Sequence, residues 1–418
     1  MQRVQSRHLA PWAGWQRGLA IGLLGATALA ATWTSDAHAS PREQAYQIYN
    51  RINSVPPSEQ TLASMAAKIA AGQVEDAARD AINDDSGNFY GVTLVDLVSR
   101  WTNTDKVSRV PLNDYTATVI GMIRDDVQFN TVLSADILYV GDPNALPSIS
   151  KYSLANNKHY VELEKAIEDG KVKLKDALQR QTQSGQSGGL SAEGIAGVQS
   201  TRGFGEAYFK AGTNRRAVKF LMSTFLCREL EQLADSSRSD YRVRRDVSRT
   251  PGGEPSTYRN KCASCHAGMD GLAGAYAYYD MVPGKTPDTA KLTYSAAKVA
   301  KKYDQNTDQF PDGYMTTDDG WANNWLEGQN ATIGWHPASN GTMESTRAGM
   351  GAKSLGELLT ATDAFASCMA ERSFAAMCLH KPNGANDQKI VDKITSDFSR
   401  DYNLKNAMVT AVVACSAQ

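Results

Sequence analysis

Histidine is scarce in this chain and its paired-cysteine motif occurs once. Of 418 residues, six are histidine and six are cysteine. The absence of a second C-x-x-C counts against a structural zinc site, which needs four ligands. Beyond residue 31 no apolar stretch approaches the roughly 20 residues that span a bilayer. The formal net charge is only -1 and no long basic stripe occurs, which argues against a nucleic-acid partner. Alternating apolar-polar runs are nearly absent, so no large sheet is expected. There is no internal repeat.

What is present begins with an address. Arg3, Arg7 and Arg17 form a basic opening, Leu19 to Ala31 an apolar run too short to span, and Ala37-His38-Ala39 a small-x-small cleavage site. The pattern predicts a signal peptide over residues 1–39, cut after Ala39, and a periplasmic or secreted protein with no transmembrane segment after cleavage. Loss of three Arg and Asp36 takes the net charge from -1 to -3.

The rest reads as all-α. Ala45, Ile48, Tyr49 and Ile52, then Leu62, Met65, Ala66 and Ile69, recur at helical spacing. Pro56-Pro57 separates these stripes and Gly72 ends the second. Leu94, Leu97, Val98 and Trp101 make a third, and Val119, Ile120 and Ile123 a fourth. An N-terminal helical domain is therefore expected over 40–180. A Gly/Ser/Gln-rich surface loop from Gln181 to Gly194 and a long helix from about Asn214 to Leu233, capped by Thr213 or Asn214, fill 181–250. A haem domain with long loops follows over 251–354, with one short helix expected in 285–303. A C-terminal helical domain covers 355–418, with helices at Leu355–Leu379, Gln388–Phe398 and Leu404–Cys415.

Cys262, Cys265 and His266 stand in the order C-x-x-C-H, the attachment signature of a c-type haem. Two residues between the thiols make one turn, which brings both sulfurs to one porphyrin edge, and His266 becomes the proximal iron ligand. A covalent tether also keeps the haem in an exported protein. A thioredoxin-like dithiol would require a preceding strand in a βαβ unit, and the surroundings show none.

The segment Cys262-Ala-Ser-Cys265-His266, Met269-Asp270-Gly-Leu272-Ala273 and Tyr279-Asp280 resembles the haem region of exported bacterial proteins with a planctomycete-type cytochrome c domain. In that family, helical domains of unassigned function precede the haem domain and a small helical domain follows it. "RINSVPPSEQTLASM", "IRDDVQFNTVLSADILYVGDP" and "SLGELLTATDAFASCMAERSF" are similar to other family segments, so the resemblance covers most of the chain, loosely outside the haem motif. It departs at Asn214-Arg-Arg-Ala, where the family has Pro-x-x-Arg-Gly, and at Gly271, where the family has Pro.

The sixth iron position decides the chemistry: methionine favours electron transfer, whereas an open position permits oxygen or peroxide chemistry. Met343, in "SNGTMES", is the distal candidate, with Met315 and His336 as alternatives; Met350 also lies in this loop region. Met269 is too close in sequence to cross the ring. Trp321, Trp325 and Trp335 either wall the pocket or form a small core. Arg242, Arg244, Arg245 and Arg249 could pair with haem propionates, steer an acidic partner, or lie in a solvated loop balanced by Asp240 and Asp246.

The other cysteines number four, in an oxidising compartment. Cys368 and Cys378, ten residues apart on one expected helix, would be about 15 Å apart, beyond the reach of a disulfide. The pairing expected is Cys378–Cys415 and Cys227–Cys368. The functional expectation is a carrier of one covalent haem c, with no other catalytic residue, passing single electrons to a periplasmic or extracellular redox partner. Two alternatives stay open: a haem c enzyme of peroxidase or oxygenase type, and a binding protein whose haem is structural or sensory.

Overall fold

Ser40 starts the first helix. Its hydroxyl accepts from the Glu43 amide at 3.3 Å while the Glu43 carboxylate accepts from the Ser40 amide at 2.8 Å, and Pro41 occupies the first helical position. This reciprocal cap satisfies amides that a helix start leaves unpaired. The computed structural model describes residues 39–286, 289–304, 309–339 and 341–417. The expected basic opening and apolar run of the signal peptide lie outside the described residues.

The fold is all-α. Strands among the described residues are six short segments in three two-stranded antiparallel pairs. Helix Pro41–Asn53 buries Ala45, Ile48, Tyr49 and Ile52, and helix Glu59–Ala70 buries Leu62, Met65 and Ile69. Helix Asp114–Arg124 is buried on every side from Tyr115 to Ile123, as a helix apolar all round must be. The last helix, Leu404–Ser416, packs on Asp363–Cys378, Val74–Asn83 and Pro41–Asn53, so the first and last helices share one core. Side-chain bonds from Gln44 to Ser416 (3.2 Å) and from Arg79 to Asn406 (2.8 Å) tie the same seam. Among the described residues no helix is long and apolar enough to cross a membrane.

Several elements differ from the sequence expectation. The helix expected from Asn214 to Leu233 runs only over Arg215–Phe225. Arg372 donates to the Ser223 and Thr224 carbonyls at 2.8 and 2.7 Å, taking acceptors that a continuing helix would use, and Cys227 sits at φ +51°. Asn214 itself lies at φ +58° without capping the helix through its side chain; its amide donates to the Tyr276 carbonyl at 2.8 Å. Residues 291–294, expected within a short helix, form a strand paired with Tyr279–Val282, and Lys301–Asp304 beyond them is a single 3₁₀ turn. Leu292, fully buried, is held in that pairing. The helix expected from Leu355 to Leu379 is two, Gly351–Thr360 and Asp363–Cys378, because Thr362 caps the second by accepting from the Phe365 amide. The loop after Gln181 lies at the surface as expected, and is anchored there by buried Gln183, which donates to the Ile137 and Gly197 carbonyls at 3.1 and 2.8 Å.

Cysteines 227 and 368 are bonded, with Cα atoms 5.3 Å apart, and so are 378 and 415, with Cα atoms 5.6 Å apart. Both pairs are those expected, and Cys368 and Cys378 do share one helix. The first bond ties the end of Arg215–Phe225 to Asp363–Cys378, and the second ties that helix to the last one.

The helix Ala263–Leu272, which carries most of the C-x-x-C-H motif, lies between helix Arg215–Phe225 and strand Gly320–Ala322. Gly268, Gly271 and Gly274, three residues apart, let it approach closely. A side chain at Gly268 would overlap the Trp325 ring, one at Gly274 the Gly320 carbonyl, and one at Gly271 would stand 2.5 Å from the Ala322 carbonyl oxygen. Gly271→Ala should therefore lower stability by about 1–3 kcal/mol in denaturant unfolding, because backbone must shift. Gly91→Ala, in open space, should stay within about 0.5 kcal/mol of the parent.

Candidate functional site

Pro255 opens a single helical turn, Pro255–Thr257, which runs through a wide π turn, Tyr258–Cys262, into Ala263–Leu272. Tyr258, Cys262, His266 and Asp270 follow at four-residue steps, and Cys265 lies three after Cys262. Residues three and four apart on a helix share a face. The local fold thus presents both thiols and the imidazole in one direction. Cys262 and Cys265 are half-buried and are the two cysteines outside the disulfides. The Cys265 thiol donates weakly to the Leu230 carbonyl at 3.7 Å, and burial pushes its pKa up.

The side chain of Asp270 is fully buried at the inner end of this face. One of its oxygens accepts from Arg215 Nε at 2.7 Å and lies 2.9 Å from His266 Nδ1. The other accepts from the second Arg215 nitrogen at 2.8 Å and from the Arg244 amide at 3.3 Å. Arg215 also grips Asp246 with two bonds of 2.7 Å. Burial by itself would raise the Asp270 pKa, but the Arg215 charge and the His266 bond outweigh it and hold the carboxyl well below the usual range. The Arg215 pKa is raised: burial opposes this, and Asp270 and Asp246 outweigh it.

An ionised carboxylate only accepts, so the proton of neutral His266 belongs on Nδ1. That leaves the Nε2 lone pair free, and Nε2 has no partner among the described residues. The side chain of His266 is 22% exposed, so this nitrogen is not sealed into the core. Two unbonded thiols and one imidazole with a free nitrogen, all on one helix face, form a donor set that fits a covalently attached haem. The zinc alternative fits less well: no group of three or more His, Cys, Asp and Glu side chains among the described residues could hold a metal ion. The dithiol alternative lacks its strand, since helical turns precede Cys262.

The methionines and the histidine that the sequence offered as distal-ligand candidates lie on exposed segments. Met343 opens the 3₁₀ turn Met343–Thr346 and is 63% exposed; Met315 is 55% exposed, and Met350 is also exposed. Met315 follows Tyr314, whose amide donates to the Val243 carbonyl at 3.0 Å, beside the Arg244 that contacts Asp270. His336 Nε2 is 2.9 Å from Asp363, and the ring borders a cavity of about 570 Å³ lined also by Asn130, Trp321, Glu357 and Tyr402. None of the three motif residues lines that cavity. The buried tryptophans form a small core behind the motif: Trp325 lies against Gly268, Trp335 donates to the Trp325 carbonyl at 3.0 Å, and Trp321 donates to Ser354 at 2.8 Å.

The arginine cluster is mostly engaged within the fold. Arg249 donates to the Val243 and Val247 carbonyls and lies over the Tyr258 and Phe310 rings. Arg245 donates to Gly313. Buried Arg244 donates to Thr316 and to the Asp270 carbonyl, leaving one terminal nitrogen without a partner; Arg242 stacks on Tyr314 with Nε unpaired. Asp246 pairs with Arg215, and Asp240 accepts from Tyr258 at 2.6 Å, so neither simply balances the neighbouring arginines. A groove of about 400 Å³ between Tyr241, Arg249, Tyr258, Arg259 and Tyr314 adjoins the start of the motif. Sequence reasoning missed the Arg215–Asp270 pair, although the four-residue step from His266 to Asp270 is a readable signal.

The chain matches no protein-family model, no curated protein and no solved structure.

Removing the shared cation should expose the cost of these buried carboxylates. Arg215→Met should lose about 3–5 kcal/mol at pH 7, as breaking a buried ion pair does. In the parent, the depressed Asp270 pKa contributes stability that is full above the unfolded value of about 3.9 and is lost as pH falls through the folded value. In the variant the Asp270 carboxyl, without the Arg215 charge that lowers its pKa, takes up a proton more readily when folded. The gap between parent and variant should therefore narrow from pH 7 to pH 4.5 in paired urea titrations.

Proposed function

We propose that this protein is an exported monohaem c-type cytochrome that carries single electrons to and from a periplasmic or extracellular redox partner protein. The observation that carries this reading is the shared face of Cys262, Cys265 and His266, with the imidazole proton committed to Asp270. Haem c, when bound, supplies a one-electron ferric–ferrous couple. Cys262 and Cys265 would hold it through two thioethers, and His266 Nε2 would ligate the iron. Asp270 fixes the His266 tautomer and ring orientation. Met343 is the proposed distal ligand, with Met315 and His336 as alternatives. Both disulfides fit an oxidising compartment, and the proposed signal peptide would deliver the chain there.

Two measurements test the reading. Expressed with the haem-ligation machinery, the protein should gain the mass of one haem and give an alkaline pyridine haemochrome of the two-thioether kind. Cys262→Ala with Cys265→Ala should abolish both signals; covalent haem in that double variant would overturn the assignment.

For the distal position, the resting protein should react slowly with carbon monoxide and peroxide, and its oxidised form should show a weak red-end sulfur-to-iron band. Met343→Ala should remove the band, admit carbon monoxide and lower the midpoint potential. Band loss in Met315→Ala instead transfers the role to that residue. A high-spin protein that binds carbon monoxide at once would replace electron transfer with haem enzymology.

A further inference from the structure

His266 is held by a carboxylate that is itself held. A neutral acceptor such as a peptide carbonyl would orient the ring, but would draw less on the Nδ1 proton. Here the acceptor is the Asp270 oxygen 2.9 Å away, one helical turn along the same face. Its side chain cannot swing aside freely, because Arg215 binds both oxygens and the Arg244 amide binds one of them. Arg215 is fixed in turn by Asp246. Three segments thus converge on one carboxylate: the arginine-rich loop, the start of helix Arg215–Phe225, and the motif helix.

We infer that Asp270 is a positioning residue that makes His266 an electron-rich ligand and lowers the potential of the bound haem. The inference rests on the haem reading above and adds to it a direction for the redox couple. A carboxylate on the far nitrogen of a ligating imidazole raises the basicity of the near one. Stronger donation from His266 favours ferric over ferrous iron. The partner that fits is consequently a reductant stronger than one needed for the same ligands with a neutral acceptor behind the histidine.

The test uses full-length protein carrying covalent haem, compared by midpoint potential at pH 7 and by low-spin ferric electron paramagnetic resonance. Asp270→Asn should raise the midpoint and widen the spread of g values, because donation from the imidazole weakens. Asp270→Glu keeps the charge and the ion pair with Arg215 but displaces the oxygen by a methylene, and should raise the midpoint by a smaller amount. If Asn raises the midpoint while Glu matches the parent in both readouts, charge alone accounts for the effect and the hydrogen-bond role is overturned. Parental values in the Asn variant overturn the inference outright while leaving the haem in place. Should Asp270→Asn fail to fold, the Glu variant decides alone: a raised midpoint supports the role and a parental one refutes it. A parent protein that takes up no covalent haem refutes the functional reading itself, a result distinct from any of these.

Discussion

The guanidinium of Arg215 between Asp246 and Asp270 is the contact on which the site depends. Two carboxylates and one cation are withdrawn from water, which is costly unless each is paired with good geometry. Four bonds of 2.7–2.8 Å supply that geometry. Because Asp270 stays ionised, it acts on His266 only as an acceptor, and the free nitrogen of the imidazole becomes the one turned away from the core. A local electrostatic requirement thus selects the tautomer of a side chain on the neighbouring turn.

Packing behind the helix enforces the same arrangement. Glycines at 268, 271 and 274 remove the side chains that would separate Ala263–Leu272 from Trp325 and strand Gly320–Ala322. With one side pressed against backbone and indole, and Asp270 locked to Arg215, the helix has little freedom to rotate. The cysteines and histidine are then left on a half-buried face. The Cys227–Cys368 bond secures the far end of helix Arg215–Phe225, the element that supplies Arg215. Rigidity at the motif is therefore assembled from an ion pair, a close glycine contact and a covalent link remote from it.

The long segment from Pro311 to Gly351 contributes to this assembly without regular secondary structure of any length. Its tryptophans fill the space behind the motif helix, and its strand Gly320–Ala322 pairs with Ala348–Met350. The exposed methionines on the same segment are left outside that small core.

The helical class, the buried stripes of the first two helices and the cysteine pairing were legible in the sequence. Each depends on periodicity or on helical rise, which are properties of neighbouring residues. The end of the helix at Phe225 was not, because Arg372, some 150 positions away, claims its last carbonyls. Residues 291–294 became a strand because Tyr279–Val282 was there to pair with. The state of the site was likewise decided in three dimensions. Sequence spacing places Asp270 one turn from His266, but only the fold brings Arg215 and the Arg244 amide to it, and only an ionised, immobile carboxylate dictates which imidazole nitrogen carries the proton.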